Sequence, residues 1–379
     1  MKIALFSEVF IPKIDGVVNT TCRLLTYLQE RGHSSILFAP AGGPQQYAST
    51  PVIGLYGFPL PMYPDLQIVP PIVNVSEQLD AFKPELIHLI NPFSLCLAGL
   101  WYGLQKNIPI TASYQTDLAG YANYWGVGYL SPIIWAYLRS IHNQADLNFA
   151  PSRFTQQELI ANQFQRVKVW GRGVDGTLFS PSKFDDNMRY RLSQGEPDKK
   201  LLLYVGRLST EKRIAWLRKI FECFKDIRLA IIGDGPQRNE LEHLFAHTPT
   251  YFGGFMSGEE LAKAYASSDI FVFPGANETF GNVVLEAMAS GLAVVAPNSG
   301  GITDFVTHLQ TGMLFEAHSI EAMLNQLRIL LNNPELTTFL RRAAWSFAQT
   351  LTWDSIFDKL LQDYEQVIQE KRQMQASFS

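Results

Sequence analysis

Short apolar runs rich in Leu, Ile and Val alternate with helix-like segments from one end of the chain to the other. Few architectures accept that pattern. Runs this brief, apolar on both faces and separated by helices, belong to mostly parallel sheets covered on both sides, an α/β fold. In the first half, strands are expected near 2–6, 35–39, 86–90, 109–113, 147–150 and 167–170. Between the first two lies 17–32, ending in Gly32, with Val17, Val18, Leu24, Leu25 and Leu28 at roughly helical spacing. A second series begins at 201–205 and continues through 228–232, 269–273 and 293–296. Each of these four runs precedes a glycine- or proline-bearing loop, where a doubly wound sheet places its ligand sites.

At 379 residues the chain is too long for one ordinary core, so two domains are expected. The stretch 180–200, with Ser180-Pro181-Ser182 at one end and Gly195-Glu196-Pro197-Asp198 at the other, has the composition of a linker. Residues 353–370 predict an amphipathic helix, and the polar 371–379 a frayed end. Hydrophobic residues make up 47% and charged residues 17%, a folding composition. A net charge of -4 gives no sign of a nucleic-acid partner. Cys22, Cys96 and Cys223 are scattered, which predicts neither disulfides nor zinc and points to a reducing, cytoplasmic setting. The first apolar run is cut by Glu8, too early for a signal sequence, and no run reaches membrane-spanning length, so at most a peripheral membrane association is expected. With no HExxH and no Cys/His cluster, no metal site is expected; the Gly-Lys-Ser/Thr phosphate loop and the G-x-S-x-G elbow are also missing, and Gly233-Asp234-Gly235-Pro236 is not a GxGxxG fingerprint.

The richest segment for chemistry is Asn277-Glu278-Thr279-Phe280-Gly281-Asn282-Val283-Val284-Leu285-Glu286. A loop carrying one carboxylate passes through a glycine into a helix that carries a second. A helix start offers unpaired N–H groups and the positive dipole end, which suits a diphosphate. Glu286, two turns on, could face the same side and accept from sugar or ribose hydroxyls. A surface helix with two solvated glutamates gives the same spacing. Gly206-Arg207-Leu208-Ser209-Thr210-Glu211-Lys212 follows directly on a strand, and its two cations suit phosphate. Gly233-Asp234-Gly235-Pro236 and Ser299-Gly300-Gly301 end further strands, where glycine permits tight turns and close approach to a ligand. Gly16 precedes the first helix, and Gln115 and Asp117 follow the strand at 109–113 as candidate cleft residues. Ordinary turns and polar loops account for each of these taken singly.

As an ordered set, the pieces resemble the retaining nucleotide-sugar glycosyltransferases of family 4. They are Gly206-Arg207 with Glu211-Lys212, Gly233-Asp234-Gly235-Pro236, Ser267 and Asp269, Pro274, Glu278-Thr279-Phe280-Gly281, 285–291 and Gly300-Gly301, together spanning nearly the whole chain. Tyr114-Gln115-Thr116-Asp117 and Trp170-Gly171-Arg172-Gly173-Val174-Asp175 are similar to a narrower branch, the MgtA-type α-mannosyltransferases and sulfoquinovosyl diacylglycerol synthases, which often glycosylate membrane lipids.

The resemblance implies a GT-B fold. Two Rossmann-like domains, 1–180 and 181–352, are expected, with the helix of 353–379 crossing back to the first. It implies that Glu286 holds the ribose and Glu278 the donor-sugar hydroxyls. The amides of Gly281, Asn282 and Val283 would cradle the diphosphate with Arg207 and Lys212, while Phe280 and Gly233 line the donor site. Gly16 would complete the phosphate site from the first domain. Many members carry a His where Gln115 stands, and an amide cannot transfer that proton. The expected donor is a UDP- or GDP-sugar with no further cofactor. The expected acceptor is a lipid or sugar hydroxyl. Between Arg31 and Lys83 there is no Lys or Arg, which argues against electrostatic membrane docking there, although 51–75 is apolar and proline-rich. The aromatic cluster of Tyr121, Tyr124, Trp125, Tyr129, Trp135 and Tyr137 fits either core packing or a lipid interface. A nucleotide-sugar epimerase, a phosphorylase and a non-catalytic nucleotide-sugar-binding module are the competing readings.

Overall fold

The structure, a computed structural model, describes every residue except Ile14, Pro61, Met62, Ile72, Val73, Leu118, 121–125, Asn277 and Ser379; the side chains of Leu60, 63–66 and Phe378 are likewise outside the description. Tyr121, Tyr124 and Trp125 of the aromatic cluster therefore lie outside the described residues. The chain forms two compact units, Met1–Arg172 with Trp353–Ser379, and Gly173–Thr352.

The first unit is built on a sheet whose strands are β1 (Lys2–Ser7), β2 (Ser34–Pro40), β3 (Gln46–Tyr47), β4 (Thr50–Leu55), β7 (Leu86–Ile90), β8 (Ile110–Ser113), β9 (Leu147–Ala150) and β10 (Val167–Val169). Their order is β10-β9-β8-β7-β1-β2-β4-β3, parallel except for the β3–β4 hairpin. Strands β5 (Phe58–Leu60) and β6 (Tyr63–Ile68) form a separate antiparallel ribbon within the proline-rich 51–75. The interior strands are aliphatic on both faces because helices cover both faces, so Ile3, Leu5, Leu89 and Ile90 are all fully buried.

The second unit has a six-stranded sheet of β11 (Lys200–Val205), β12 (Ile227–Ile232), β13 (Thr250–Gly254), β14 (Ile270–Val272), β15 (Ala293–Pro297) and β16 (Met313–Phe315). The order is β13-β12-β11-β14-β15-β16, all parallel. Both sheets share a device. The first strand sits inside, with its successor on one side and a later strand on the other: β1 between β2 and β7, β11 between β12 and β14. That arrangement makes a topological switch point, where loops at the carboxyl ends part and leave a crevice.

All ten expected strands form within a residue or so of their expected limits. Two expectations fail. The 180–200 stretch is no linker. Asp185 caps a helix over Asp186–Leu192 by accepting from the Met188 N–H, Met188 and Leu192 join the core of the second unit, and Arg189 pairs with Asp269 at 2.9 Å. The expected frayed end is also wrong. The last helix runs Trp353–Phe378, and its final turns are tied to the first unit: Lys371 to Asp146 at 2.9 Å, Arg372 to Glu85 at 2.8 Å and Gln375 to the Asn107 carbonyl at 2.9 Å. Polar residues there face partners on the first unit, which composition alone does not reveal.

One buried carboxylate shapes the first unit. Glu8, 1% exposed, follows β1 and accepts from the backbone N–H groups of Phe93, Ser94, Leu95 and Cys96 at 2.7–3.2 Å and from Ser94 Oγ at 3.0 Å. The helix Cys96–Lys106 starts there without a side-chain cap from its own segment. Glu8 thus supplies the anion that such a helix start favours.

Two histidines are buried completely. His88 on β7 bonds Thr111 Oγ1 at 2.8 Å and Ser113 Oγ at 3.2 Å. His142 Nδ1 meets Asn148 Oδ1 at 2.8 Å, while Asn148 Nδ2 donates to the carbonyls of His142 and Gln165. The Asn148 oxygen is therefore the acceptor, and His142 carries its proton on Nδ1. Burial pushes His88 down to about 3 and His142 to about 4. Both stay neutral in the fold, whereas the unfolded chain takes up their protons below about pH 6.5. Stability is therefore expected to fall as pH drops from about 6.5 toward 4, by up to about 1.4 kcal/mol per pH unit for each histidine. Urea unfolding across that range checks this, with His142→Gln flattening the slope.

Candidate functional site

The second-unit switch point lies between β11 and β14, and the sequence sends its charged loops there. After β11 come Gly206, Arg207 and a short 3-10 turn, Thr210–Lys212; after β14 comes the loop to Glu278. Lys212 Nζ and Glu278 Oε1 form an ion pair across the switch point, with side chains only 14% and 18% exposed. The ammonium also sits 5.8 Å from the centroid of the Phe273 ring. Arg207 is exposed at the same edge, and its carbonyl accepts from Tyr204 Oη at 3.1 Å.

Glycines let these loops close on one another. Gly233 has φ +134°, and a Cβ there would lie 2.0 Å from the Gly206 carbonyl oxygen. A Cβ on Gly301 would lie 2.2 Å from the Thr279 oxygen, and the Gly301 N–H donates to the Glu278 carbonyl at 2.8 Å. The Gly206 and Gly233 loops therefore pack backbone to backbone, and the Gly300-Gly301 loop packs in the same way on the Glu278 loop.

Gly281 ends the Glu278 loop at φ +97° and opens the helix Asn282–Ala289 without a side-chain cap. Its first N–H groups, from Asn282 and Val283 onward, have no partner inside the helix. Among the described residues Asn282 Oδ1 is buried with no hydrogen-bond partner. Phe280 differs from its expected place lining the donor site: its ring is buried against Phe305, centroids 5.0 Å apart, and braces the loop from the core side. Glu286 sits on the next turns, half-buried, with Oε2 3.1 Å from Tyr265 Oη. Tyr265 is a residue the sequence reading missed. It lies in the helix Gly258–Ala266 among core alanines, and its hydroxyl also reaches the Val283 carbonyl at 3.2 Å. Burial, then the neighbouring Glu286 charge, pushes its phenol well above the ordinary range, so it stays a donor to that carboxylate.

In the first unit, Gly16 starts the helix Gly16–Glu30, but Asp15 already caps it, accepting from the Val18 N–H at 2.9 Å. Gln115 follows β8 and is buried. Its Nε2 donates to Ser113 Oγ at 3.0 Å, and its Oε1 accepts from Arg172 at 3.1 Å. Asp117 accepts from Tyr114 Oη at 3.2 Å and the Gly120 N–H at 2.7 Å. Close to it, burial and the Asp117 charge push Glu158 up to about 7. Glu158 and Arg172 were also missed as individual candidates. The aromatic cluster divides: Trp135 stacks on buried Tyr114 at 5.9 Å, whereas Tyr129 is 76% exposed and Ile133 65%. No group of ligand-type side chains poised for a metal occurs among the described residues, and no helix among them is long and apolar enough to cross a membrane.

Residues 14–177 match the family described as Glycosyltransferase Family 4, and 188–346 match Glycosyl transferases group 1. The chain is 35% identical over 371 residues to the sulfoquinovosyl transferase SQD2 of Arabidopsis thaliana, covering 95% of this chain and 72% of that protein. It is 36% identical over 383 residues to a GDP-mannose-dependent alpha-mannosyltransferase of Mycolicibacterium smegmatis, covering 97% and 98%. Among solved structures, Anabaena Alr3699/HepE in complex with UDP superposes with a TM-score of 0.79 at 19% identity, over 97% of this chain and all of that one. With two parallel Rossmann-like units of the GT-B type and relatives of this likeness along almost its full length, the chain belongs to the family 4 glycosyltransferases.

Proposed function

We propose that the protein moves a hexosyl group, with retention, from a nucleotide diphosphate sugar to a hydroxyl on a glycerolipid or glycolipid. The Lys212 and Glu278 ion pair beside the uncapped Gly281 helix start is the observation that carries the reading. Breaking the glycosidic bond leaves an oxocarbenium-like sugar and a diphosphate that gains negative charge. Arg207, Lys212 and the helix amides of Gly281, Asn282 and Val283 then stabilise the departing diphosphate. Glu278 takes sugar hydroxyls and Glu286 the ribose, with Tyr265 fixing the Glu286 rotamer. Attack comes from the leaving-group face, and a phosphate oxygen takes the acceptor proton, so no side chain forms a covalent bond to the sugar. Mannosyl and sulfoquinovosyl groups are the candidates suggested by the named relatives, and the mannosyltransferase favours a guanosine donor. An exposed apolar strip on and before the helix Ser131–His142, with Tyr129, Ile133 and Tyr137, supports a lipid acceptor.

The decisive assay incubates the protein with GDP- and UDP-sugars and diacylglycerol or glycolipid acceptors, and reads the anomeric configuration of the product by NMR. Retention supports the reading; inversion, or a trapped glycosyl ester on Glu278, defeats the mechanism. Lys212→Ala and Arg207→Ala are each expected to lower kcat on the order of 100-fold. Tyr265→Phe is expected to raise donor KM several-fold, about 1 kcal/mol, with kcat nearly unchanged, because it loosens binding common to ground and transition states. Flotation with neutral and anionic vesicles tests the lipid assignment. Capture by both is expected, weakened by Ile133→Ser; capture by neither favours a soluble acceptor.

A further inference from the structure

Lys212 is followed by a backbone outlier. Arg213 takes the left-handed conformation, with φ +53° and ψ +35°. It is the joint between two 3-10 segments, Thr210–Lys212 and Ile214–Lys219. Its N–H donates to the Thr210 carbonyl at 3.1 Å, and its carbonyl accepts from the Trp216 N–H at 3.0 Å. Glycine turns a chain this way freely, whereas a residue with a long side chain does so only where its surroundings hold it. Strained backbone of this kind is characteristic of sites where geometry matters to function.

The side chain of Arg213 is held at both faces. Its Nη2 donates to His318 Nδ1 at 2.6 Å, across 105 residues of sequence. The guanidinium also lies 5.1 Å from the centroid of the Trp216 ring. Among the described residues Arg213 Nη1 is buried with no hydrogen-bond partner, so the group keeps this place although one arm stays unsatisfied. A guanidinium only donates, so the imidazole facing it is neutral and carries its proton on Nε2. His318 is itself left-handed, at φ +73°, in the loop between β16 and the helix Ile320–Asn332. The next residue, Ser319, caps that helix by accepting from the Ala322 N–H at 3.1 Å, and the helix buries Met323 and Leu327 in the core. The anchor is therefore firm. The loop after β14 adds a second restraint: a Cβ on Gly275 would lie 3.4 Å from Lys212 Cα. Every one of these residues belongs to the second unit.

We propose that Arg213 and His318 are positioning residues that form a strap, tying the short turn that carries Lys212 to the edge of the sheet and so aiming the Lys212 ammonium at the departing diphosphate. This rests on the reading that Lys212 stabilises that diphosphate. Both strap residues act through Lys212. A misplacement of about 1 Å costs on the order of 100-fold in rate when it falls on a reacting group, so a restraint one residue away carries weight. His318 is exposed, and replacing it therefore leaves the core intact and isolates the strap.

The test is a kinetic cycle on the full chain, with the nucleotide sugar that supports turnover as donor. The variants are Arg213→Gly, His318→Gly, His318→Asn and Lys212→Ala, with doubles of the two glycine variants and Lys212→Ala. Glycine accepts the left-handed backbone and removes the strap. Asparagine also tolerates that backbone and puts an amide oxygen where Nδ1 stood. Arg213→Gly and His318→Gly are each expected to lower kcat about 10-fold with donor KM within about 2-fold, while His318→Asn stays within about 2-fold of wild type. In the Lys212→Ala background each glycine variant is expected to cost less than about 2-fold further. Thermal unfolding shows which variants remain folded, and the comparison of His318→Gly with His318→Asn carries the test if Arg213→Gly does not. Strap losses that multiply with the Lys212→Ala loss, or equal losses in His318→Gly and His318→Asn, would overturn the strap while leaving the role of Lys212 intact. A wild-type kcat for Lys212→Ala would instead overturn the reading of Lys212 itself, and the strap with it.

Discussion

The candidate chemistry depends on strand order. Because β11 has β12 on one side and β14 on the other, the chain leaves its two central strands in opposite directions, and no crossover helix fills the space above them. Lys212 and Glu278 belong to loops separated by 66 residues of sequence, yet they meet there. Their mutual charge does not build the crevice; the sheet does, and the ion pair holds two mobile-length side chains in it. The glycines at 233 and 301 are a consequence, since loops converging above two strands run short of room for side chains.

How much of this could be read beforehand follows from where the signal is strong. Interior strands such as 86–90 and 201–205 are largely aliphatic runs, interrupted only by His88 and Tyr204, because covering helices demand apolar residues on both faces. Of the edge strands, β10 was anticipated, but β3, β13 and β16 were not. β13 is Thr-Tyr-Phe-Gly-Gly, with glycine where an interior strand has aliphatics, and β16 has only Met-Leu-Phe. Short edges carry little periodicity. The ends of the final helix failed for a related reason: Lys371 and Arg372 look like solvated tail residues until their partners on distant segments are known.

For the site, the legible part was the set of charged and glycine residues in loops after strands. Those whose role depends on burial were not legible. Tyr265 reads as a core aromatic in an alanine-rich helix, and only its contact with Glu286 distinguishes it. Arg172 sits in an apolar stretch after Val167–Val169, and a lone cation between glycines was the one available hint. Phe280 went the other way. Its neighbours in sequence belong to the loop, but its ring belongs to the core.

The two units use their helix starts in opposite ways, and Glu8 is the reason. Beside β1 the amides leading into Cys96–Lys106 are already saturated by a carboxylate of the same chain, whereas beside β14 the helix that opens at Gly281 has no side-chain cap among the described residues. One fold type has thus been given a sealed pole and an open pole by the choice of a single residue after the first strand. The dipole end is thus left electropositive at Gly281 and self-neutralised at Cys96, so a duplicated architecture is not duplicated in its electrostatics.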